Sequence, residues 1–290
     1  MAAEARELLA GYLSRHARAL LDLAGSLDEE GVHDSRTSAR RVRATTRVSR
    51  PYLERSEAER LRAGLREYAA GLGELRDVTE AGGLLLAEVA VLPRDQRVGP
   101  VTTRVRRELR RREREARRRL RSGPPMPPVL QAQLTRWAEA VPLREDTTVT
   151  VDDLLDRTRW ARRRANRAAS EVEALGPAVG LARRSAGWHE VRKQAKAARF
   201  ACEVLRPELG KPARRGARAW HDLTDVLGEA QDLRVARELL RECAEAARAD
   251  GQDAFSYGVL DERTRAGIEE RLGAAPTRLR RALHRTPQRS

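Results

Sequence analysis

The sequence predicts an all-α protein, a duplicated helical bundle, and three observations carry that expectation. Ala, Leu, Arg and Glu dominate the 290 residues while aromatics make up 3%, and such side chains lose little rotamer freedom in a helix. Runs of β-branched residues are few. Finally, the stretch Gly31 to Pro51, GVHDSRTSARRVRATTRVSRP, returns at Gly187 to Pro207 as GWHEVRKQAKAARFACEVLRP. The two align without a gap at an offset of 156 residues: His33 on His189, Arg36 on Arg192, Arg40 on Lys196, Arg43 on Arg199, Arg50-Pro51 on Arg206-Pro207.

The elements follow in order. Leu8, Leu9, Tyr12, Leu13, Leu20 and Leu21 stand at helical spacing and predict a first helix over 2–27. The first motif helix covers 32–50 and stops at Pro51. A third helix runs from about Ser56 to Leu72, with Ser56-x-x-Glu59 read as a capping box. LGELRDVTEAGG then opens a helix to about Val91, with Asp77 and Glu80 placed to cap it. Pro93 to Pro100 reads as a loop and 101–121 as a very basic helix. SGPPMPP, Ser122 to Pro128, is the strongest punctuation in the chain and reads as a linker. Beyond it come a short helix at 129–140, a polar loop, a long helix over 151–184, the second motif helix at 188–206, and helices at 213–227, 227–240 and 260–272 before a basic tail.

The repeat extends past the motif. LGELRDVTEAGGLL, 72–85, matches LGEAQDLRVARELL, 227–240, at an offset of 155, so His33 through Asp77 maps onto His189 through Asp232 with one deletion. A period this long is no solenoid. The expectation is a single domain with one repeat at about 4–121, a linker at 122–150 and a second repeat at 151–276. Duplicated halves of this kind pack about a pseudo-two-fold axis.

A chain of this length can bury a sizeable core. The net charge of +15 calls for an anionic partner, with nucleic acid, phosphate polymers and anionic membrane all compatible. Only Lys193, Lys196 and Lys211 of the 58 basic residues are lysine, so placement carries more meaning than arginine count. Two of those three lie in the second motif. Cys202 and Cys243 are too few for a disulfide framework or a zinc cluster, and Cys202 falls on the predicted buried face of its helix. The opening MAAEARELLAGYL has early acids and no apolar core of a signal peptide. No stretch reaches the roughly 20 apolar residues that span a bilayer. A cytoplasmic protein without a membrane partner is expected.

On a helical projection His33, Arg36, Arg40, Arg43 and Arg47 share an arc of about 80°. His189, Arg192, Lys196 and Arg199 repeat it, with Lys193 beside them and Glu203 standing where Arg47 stands in the first copy. The opposite faces are Val191, Ala195, Ala198, Ala201, Cys202 and Leu205 in one copy, and Ser35, Ala39, Val42, Thr45, Thr46 and Ser49 in the other. Such helices bury one side. Arginines at three- and four-residue steps normally interleave with glutamates, because like charges repel there by a few tenths of a kcal/mol. The first arc holds no acid, which favours an anionic ligand over a merely solvated face. From His33 to Arg47 the helix rises about 21 Å at roughly 1.5 Å per residue, enough for a chain of phosphates. Arg forks suit phosphate oxygens, and Lys serves as a point charge.

The two histidines have further readings, as metal ligands or as phosphoryl acceptors. Each lacks a second ligand at the usual helical spacing, and no phosphoryl-donor domain is visible. A hydrogen bond to phosphate fits their neighbours best. Asp77 and Asp232 either orient motif arginines from behind or cap their helices. Arg104, Arg107, Arg111, Arg114, Arg118 and Arg121 form another row, broken by Glu108, Glu113 and Glu115, which either extends the basic surface or is simply solvated. His16, His221 and His284 are not duplicated.

A doubled H-x-x-R-x-x-x-[RK]-x-x-R helix followed in each half by L-G-x-x-x-D resembles the CHAD family, the conserved-histidine α-helical domain, over about residues 4–275. The resemblance implies two four-helix bundles around a basic cavity. It also implies binding of inorganic polyphosphate without turnover, and association with polyphosphate granules. Its ligand residues would be His33, Arg36, Arg40, Arg43, His189, Arg192, Lys196 and Arg199. The triphosphate-hydrolysing domain often fused to this family needs an E-x-E-x-K stretch that the sequence lacks, so that activity is not carried over. No P-loop and no paired acidic motif for Mg²⁺ is present. A non-enzymatic polyphosphate binder that needs no cofactor is therefore the leading expectation, and a helical nucleic-acid binder resting on net charge is the alternative. No DNA-reading motif supports the latter, and the few aromatics argue against single-strand stacking.

Overall fold

The computed structural model describes residues 2–26, 28–122, 126–176 and 178–288. Among them the chain is all-α, with helices α1 (Ala2–Asp22), α2 (Glu29–Val48), α3 (Arg55–Gly71), α4 (Gly73–Ala90), α5 (Val101–Ser122), α6 (Pro128–Glu139), α7 (Val151–Glu173), α8 (Leu181–Val204), α9 (Arg206–Leu209), α10 (Lys211–Ala249) and α11 (Phe255–Arg285). Short 3₁₀ turns sit at Arg50–Tyr52 and Arg94–Gln96. The only extended pairing among the described residues is a bridge between Leu53 and Leu143.

Most predicted helices are present, and the differences have local causes. The helix expected over 151–184 ends at Glu173, and Gly176, at a φ of 72° that side chains disfavour, turns the chain before α8. The second motif helix therefore begins at Leu181 rather than 188. The helices expected at 213–227 and 227–240 are one continuous α10, and the basic tail continues α11 as far as Arg285. Neither expected cap forms. Helix α3 starts at Arg55, and Glu59 pairs with Arg50 and Arg55 at 3.1 Å instead of closing a capping box. Helix α4 starts at Gly73, so Asp77 lies inside it; Asp232 is likewise interior to α10. Real capping boxes do occur, as at α7, where Thr150 and Asp153 cap one another. The centre of the Pro-rich linker lies outside the described residues.

Two compact units emerge, and neither follows a repeat boundary. The first comprises residues 1–72, 124–225 and 276–290; the second comprises 73–123 and 226–275. In the first, α7 packs along α8, α1 lies against α2 and α6, and α2 touches both α3 and α8. Its interior holds Leu9, Leu13, Leu20, Leu61, Leu65, Leu134 and Trp137, all nearly solvent-free. In the second, Leu85, Val89, Val105, Leu239, Leu240, Tyr257 and Leu260 share one core. At about 25 cal/mol per Å², each such aliphatic side chain contributes roughly 1.5–3 kcal/mol.

The two motif helices both belong to the first unit. Their predicted back faces are buried: Val191, Ala195, Ala198, Ala201, Cys202 and Leu205 in α8, and Ser35, Ala39, Val42, Thr45, Thr46 and Ser49 in α2. The polar residues in the α2 face are short enough for close packing. Thr46 donates its hydroxyl to the Val42 carbonyl at 2.6 Å, so that group needs no outside partner.

Candidate anion-binding site

Helix α2 opens with Asp28, whose carboxylate accepts the Gly31 amide at 2.7 Å. With the apolar side sunk into the unit, His33, Arg36, Arg40, Arg43 and Arg47 stand half-buried along the remaining face. In α8, His189, Arg192, Lys196 and Arg199 are also half-buried, and Lys193 is exposed. The helices pack against each other in opposite senses. Arg41 reaches Phe200 and Glu203, whereas Arg47, further along α2, reaches back to Gln194.

The C-terminal half of the α2 stripe is crowded with cations. Burial lowers the affinity of Arg43 for its proton, and Arg62 and Arg66 of α3 lower it further. Arg47 is shifted in the same direction by burial, then by Arg164 of α7 and Arg62, with Glu190 opposing. Both remain protonated at any physiological pH. Burial is the larger cause at both, and the neighbouring guanidinium groups add to it. Arg47 donates to the Gln194 amide oxygen at 3.2 Å, and Arg164 donates to the same oxygen at 3.4 Å. The Nε of Arg47 is buried and has no hydrogen-bond partner among the described residues. Guanidinium groups of Arg157 and Arg164 lie 4.4 and 5.3 Å from the Trp160 ring. A cleft of about 430 Å³ opens here, lined by Trp160, Arg163, Arg164, Arg167, Ala168, Glu171, Glu190 and Gln194.

The α8 stripe is answered differently. Arg192 donates to the Thr224 carbonyl at 3.2 Å, and Lys193 lies 3.3 Å from the Glu190 carboxylate. Arg199 donates to Glu203 at 2.9 Å and lies 3.1 Å from Nδ1 of His221, which in turn sits 2.8 Å from Asp225. Glu203 is 6% exposed. It also accepts the Tyr12 hydroxyl at 2.8 Å and Arg41 at 3.3 Å, with Arg206 at 3.8 Å. Burial alone would raise this carboxyl, but Arg41, Arg199 and the Tyr12 hydrogen bond outweigh it and hold it below the ordinary range. His16, edge-on to Tyr12, is pushed down to about 4 by burial and by Arg41.

Asp77 and Asp232 belong to the second unit, on α4 and α10. The arginine row of α5 lies there too, and two of its members, Arg104 and Arg111, are paired with acids. Arg104 is buried and binds Asp250 and Gln252, while Arg111 bridges Glu108 and Glu115. Spacing along one helix did not reveal Arg62, Arg66 and Arg164, which converge only through packing. Arg62 and Arg66 do sit four residues apart, a signal that gains meaning once α3 is known to flank α2. No group of three or more potential metal ligands occurs among the described residues, and no helix among them is long and apolar enough to cross a membrane.

Among solved structures, the chain is similar to PptA from Streptomyces chartreusis, with a TM-score of 0.77 at 21% identity, covering 94% of this chain and 98% of that one. It is also similar to the CHAD domain from the plant Ricinus communis, with a TM-score of 0.63 at 18% identity over 94% of this chain and 91% of that one. The uncharacterized proteins MT2285 and Rv2226 of Mycobacterium tuberculosis are each 29% identical over 266 residues, 88% of this chain. The chain spans about half the length of those curated relatives, 49%. The CHAD domain model matches residues 6–241; with the doubled histidine-arginine helices and the all-α fold, the chain belongs to the CHAD domain family.

Proposed function

We propose that this protein binds inorganic polyphosphate without cleaving it, along the basic faces of α2 and α8. The observation that carries the reading is the cluster of Arg43, Arg47, Arg62, Arg66 and Arg164, in which half-buried motif arginines face further guanidinium groups and Arg47 and Arg164 share the one Gln194 oxygen. Mutual repulsion there opposes folding, and a polyanion relieves it. A phosphate chain lies along α2, taking bidentate contacts from Arg36, Arg40, Arg43 and Arg47 and a hydrogen bond from His33. His189, Arg192, Lys193, Lys196 and Arg199 supply the second row, with Arg199 shared with Glu203. Family membership supports the same ligand class. Association with polyphosphate granules in the cytoplasm follows from that ligand, and binding involves no covalent step.

The test is direct. Changing Arg36, Arg40, Arg192 and Lys196 together to Ala abolishes binding of labelled polyphosphate while the helical circular dichroism signal survives. Unchanged affinity in that folded variant sinks the site assignment. Incubation with polyphosphate and Mg²⁺ leaves chain length unaltered; release of phosphate refutes the non-enzymatic reading.

A further inference from the structure

A second arginine cluster lies at the start of α10. The sequence from Leu209 to His221 carries four basic residues and no acid, and no acid follows Glu270. The first unit brings these two segments together. Arg215 and Arg218 of α10, with Arg281 and Arg285 of α11, line a cleft of about 330 Å³ whose remaining walls are Ala219 and Asp222. All four arginines are exposed, and none forms a hydrogen bond or ion pair among the described residues. Several other surface arginines, by contrast, are paired with acids. Arg265 bridges Glu262 and Glu269, Arg111 bridges Glu108 and Glu115, and Arg271 meets Glu229 and Glu270.

The two helix segments that carry these arginines are packed tightly together. The Trp220 indole, fully buried, donates to the Thr286 hydroxyl at 3.0 Å. At Gly216 an added Cβ would stand 2.9 Å from Pro287 and 3.0 Å from the Arg285 carbonyl, so only glycine allows α10 and the end of α11 to approach this closely. Arg215 and Arg218 are three residues apart and Arg281 and Arg285 four apart, spacings at which like charges on a helix face repel. Four guanidinium groups are thus held on a rigid base around a concave space, against one carboxylate.

We infer that this cleft is a second anion site, separate from the α2 and α8 stripes, that takes a short phosphate chain of about the size of tripolyphosphate. Arg forks fit phosphate oxygens in pairs. The volume lies at the lower end of small-ligand pockets, so a short chain or the end of a long one fits, and a folded polymer does not.

Titration of tripolyphosphate into the full chain by calorimetry at near-physiological salt tests this. Two sites per chain are expected. Arg218→Glu with Arg281→Glu removes one of them, with affinity there falling at least about tenfold, and leaves the stripe site intact. Conversely, the Arg36, Arg40, Arg192 and Lys196 alanine variant retains the cleft site. Arg218→Lys with Arg281→Lys keeps the charge but loses the fork, so cleft affinity drops by a few-fold only. Stoichiometry and affinity unchanged in the folded double Glu variant overturn the cleft site and leave the stripe reading untouched. Loss of one site in that variant, with no change in the stripe variant, supports the cleft and overturns the stripe. Absence of any tripolyphosphate binding to the wild-type chain overturns the inference outright.

Discussion

Replacing Glu203 by Gln separates charge from shape at the most heavily bonded carboxylate of the first unit. Gln keeps the volume and can still accept the Tyr12 hydroxyl, now at 2.8 Å. It loses the ionic part of the contacts to Arg41 at 3.3 Å and Arg199 at 2.9 Å. A unit pair about 4 Å apart is worth about 4 kcal/mol at an effective dielectric of about 20, and two such pairs act here. Removing the carboxylate from water offsets several kcal/mol of that. What remains is the penalty of stranding two half-buried guanidinium groups, about 3 kcal/mol, within the range seen when one partner of a buried pair is removed. For a unit of this size that lowers Tm by roughly 6–12 °C. The pH dependence supplies a second check. The folded carboxyl titrates below its unfolded value, so its stabilisation is fully present above the unfolded pKa and fades as pH falls through the folded one. The gap between wild type and Glu203→Gln therefore closes on acidification. A Tm within 1–2 °C of wild type at pH 7, or a gap that persists in acid, refutes this reasoning.

Other consequences can be measured as readily. Burial pushes the Cys202 thiol up to about 12 and the Cys243 thiol up to about 11, so neither reacts with a disulfide reagent in the native state and both react after denaturation; prompt native labelling of Cys202 contradicts its burial. His16, held down at about 4, binds its proton more readily when unfolded, so its contribution is fully present above about 6.5 and is lost as pH falls toward 4. His16→Gln removes roughly 1 kcal/mol of that slope after allowance for solvent screening, and an unchanged slope in a pH series of unfolding curves refutes it. Arg43→Leu relieves repulsion from Arg62 and Arg66, so the unliganded protein gains up to about 1 kcal/mol while polyphosphate binding weakens; equal losses of stability and affinity would mean that Arg43 is a structural residue.

The sequence made the motif helices legible because their chemistry is periodic. A back face of Val191, Ala195, Ala198 and Cys202 and a front face of His189, Arg192 and Lys196 follow from spacing alone, and both faces lie where spacing puts them. What spacing cannot supply is the third dimension. Arg62, Arg66 and Arg164 belong to other helices and join Arg43 and Arg47 through packing. Glu203 reads as a missing arginine on a projection, yet its role depends on Tyr12 and Arg41, which are remote in sequence. Helix ends were the weakest part. Asp77 and Glu59 stand at capping distance from plausible starts, but α4 and α3 begin earlier, and Glu59 pairs with Arg50 and Arg55 instead. The division into compact units, each drawing on both repeats, depends on contacts that no single segment encodes.

The central claim is that this protein recognises a bare chain of phosphates and reads neither base nor groove. Competition binding measures it most directly. Labelled polyphosphate is held at near-physiological salt and challenged with unlabelled polyphosphate or with duplex DNA at equal phosphate concentration. Screening by salt weakens both contacts, but the stripe of α2, about 21 Å long on a single helix face, matches a flexible chain that can follow it better than a stiff duplex. Displacement by polyphosphate at concentrations at least about tenfold below those required of DNA is the predicted result. Equal displacement by the two polymers contradicts the account and makes the protein a general polyanion binder.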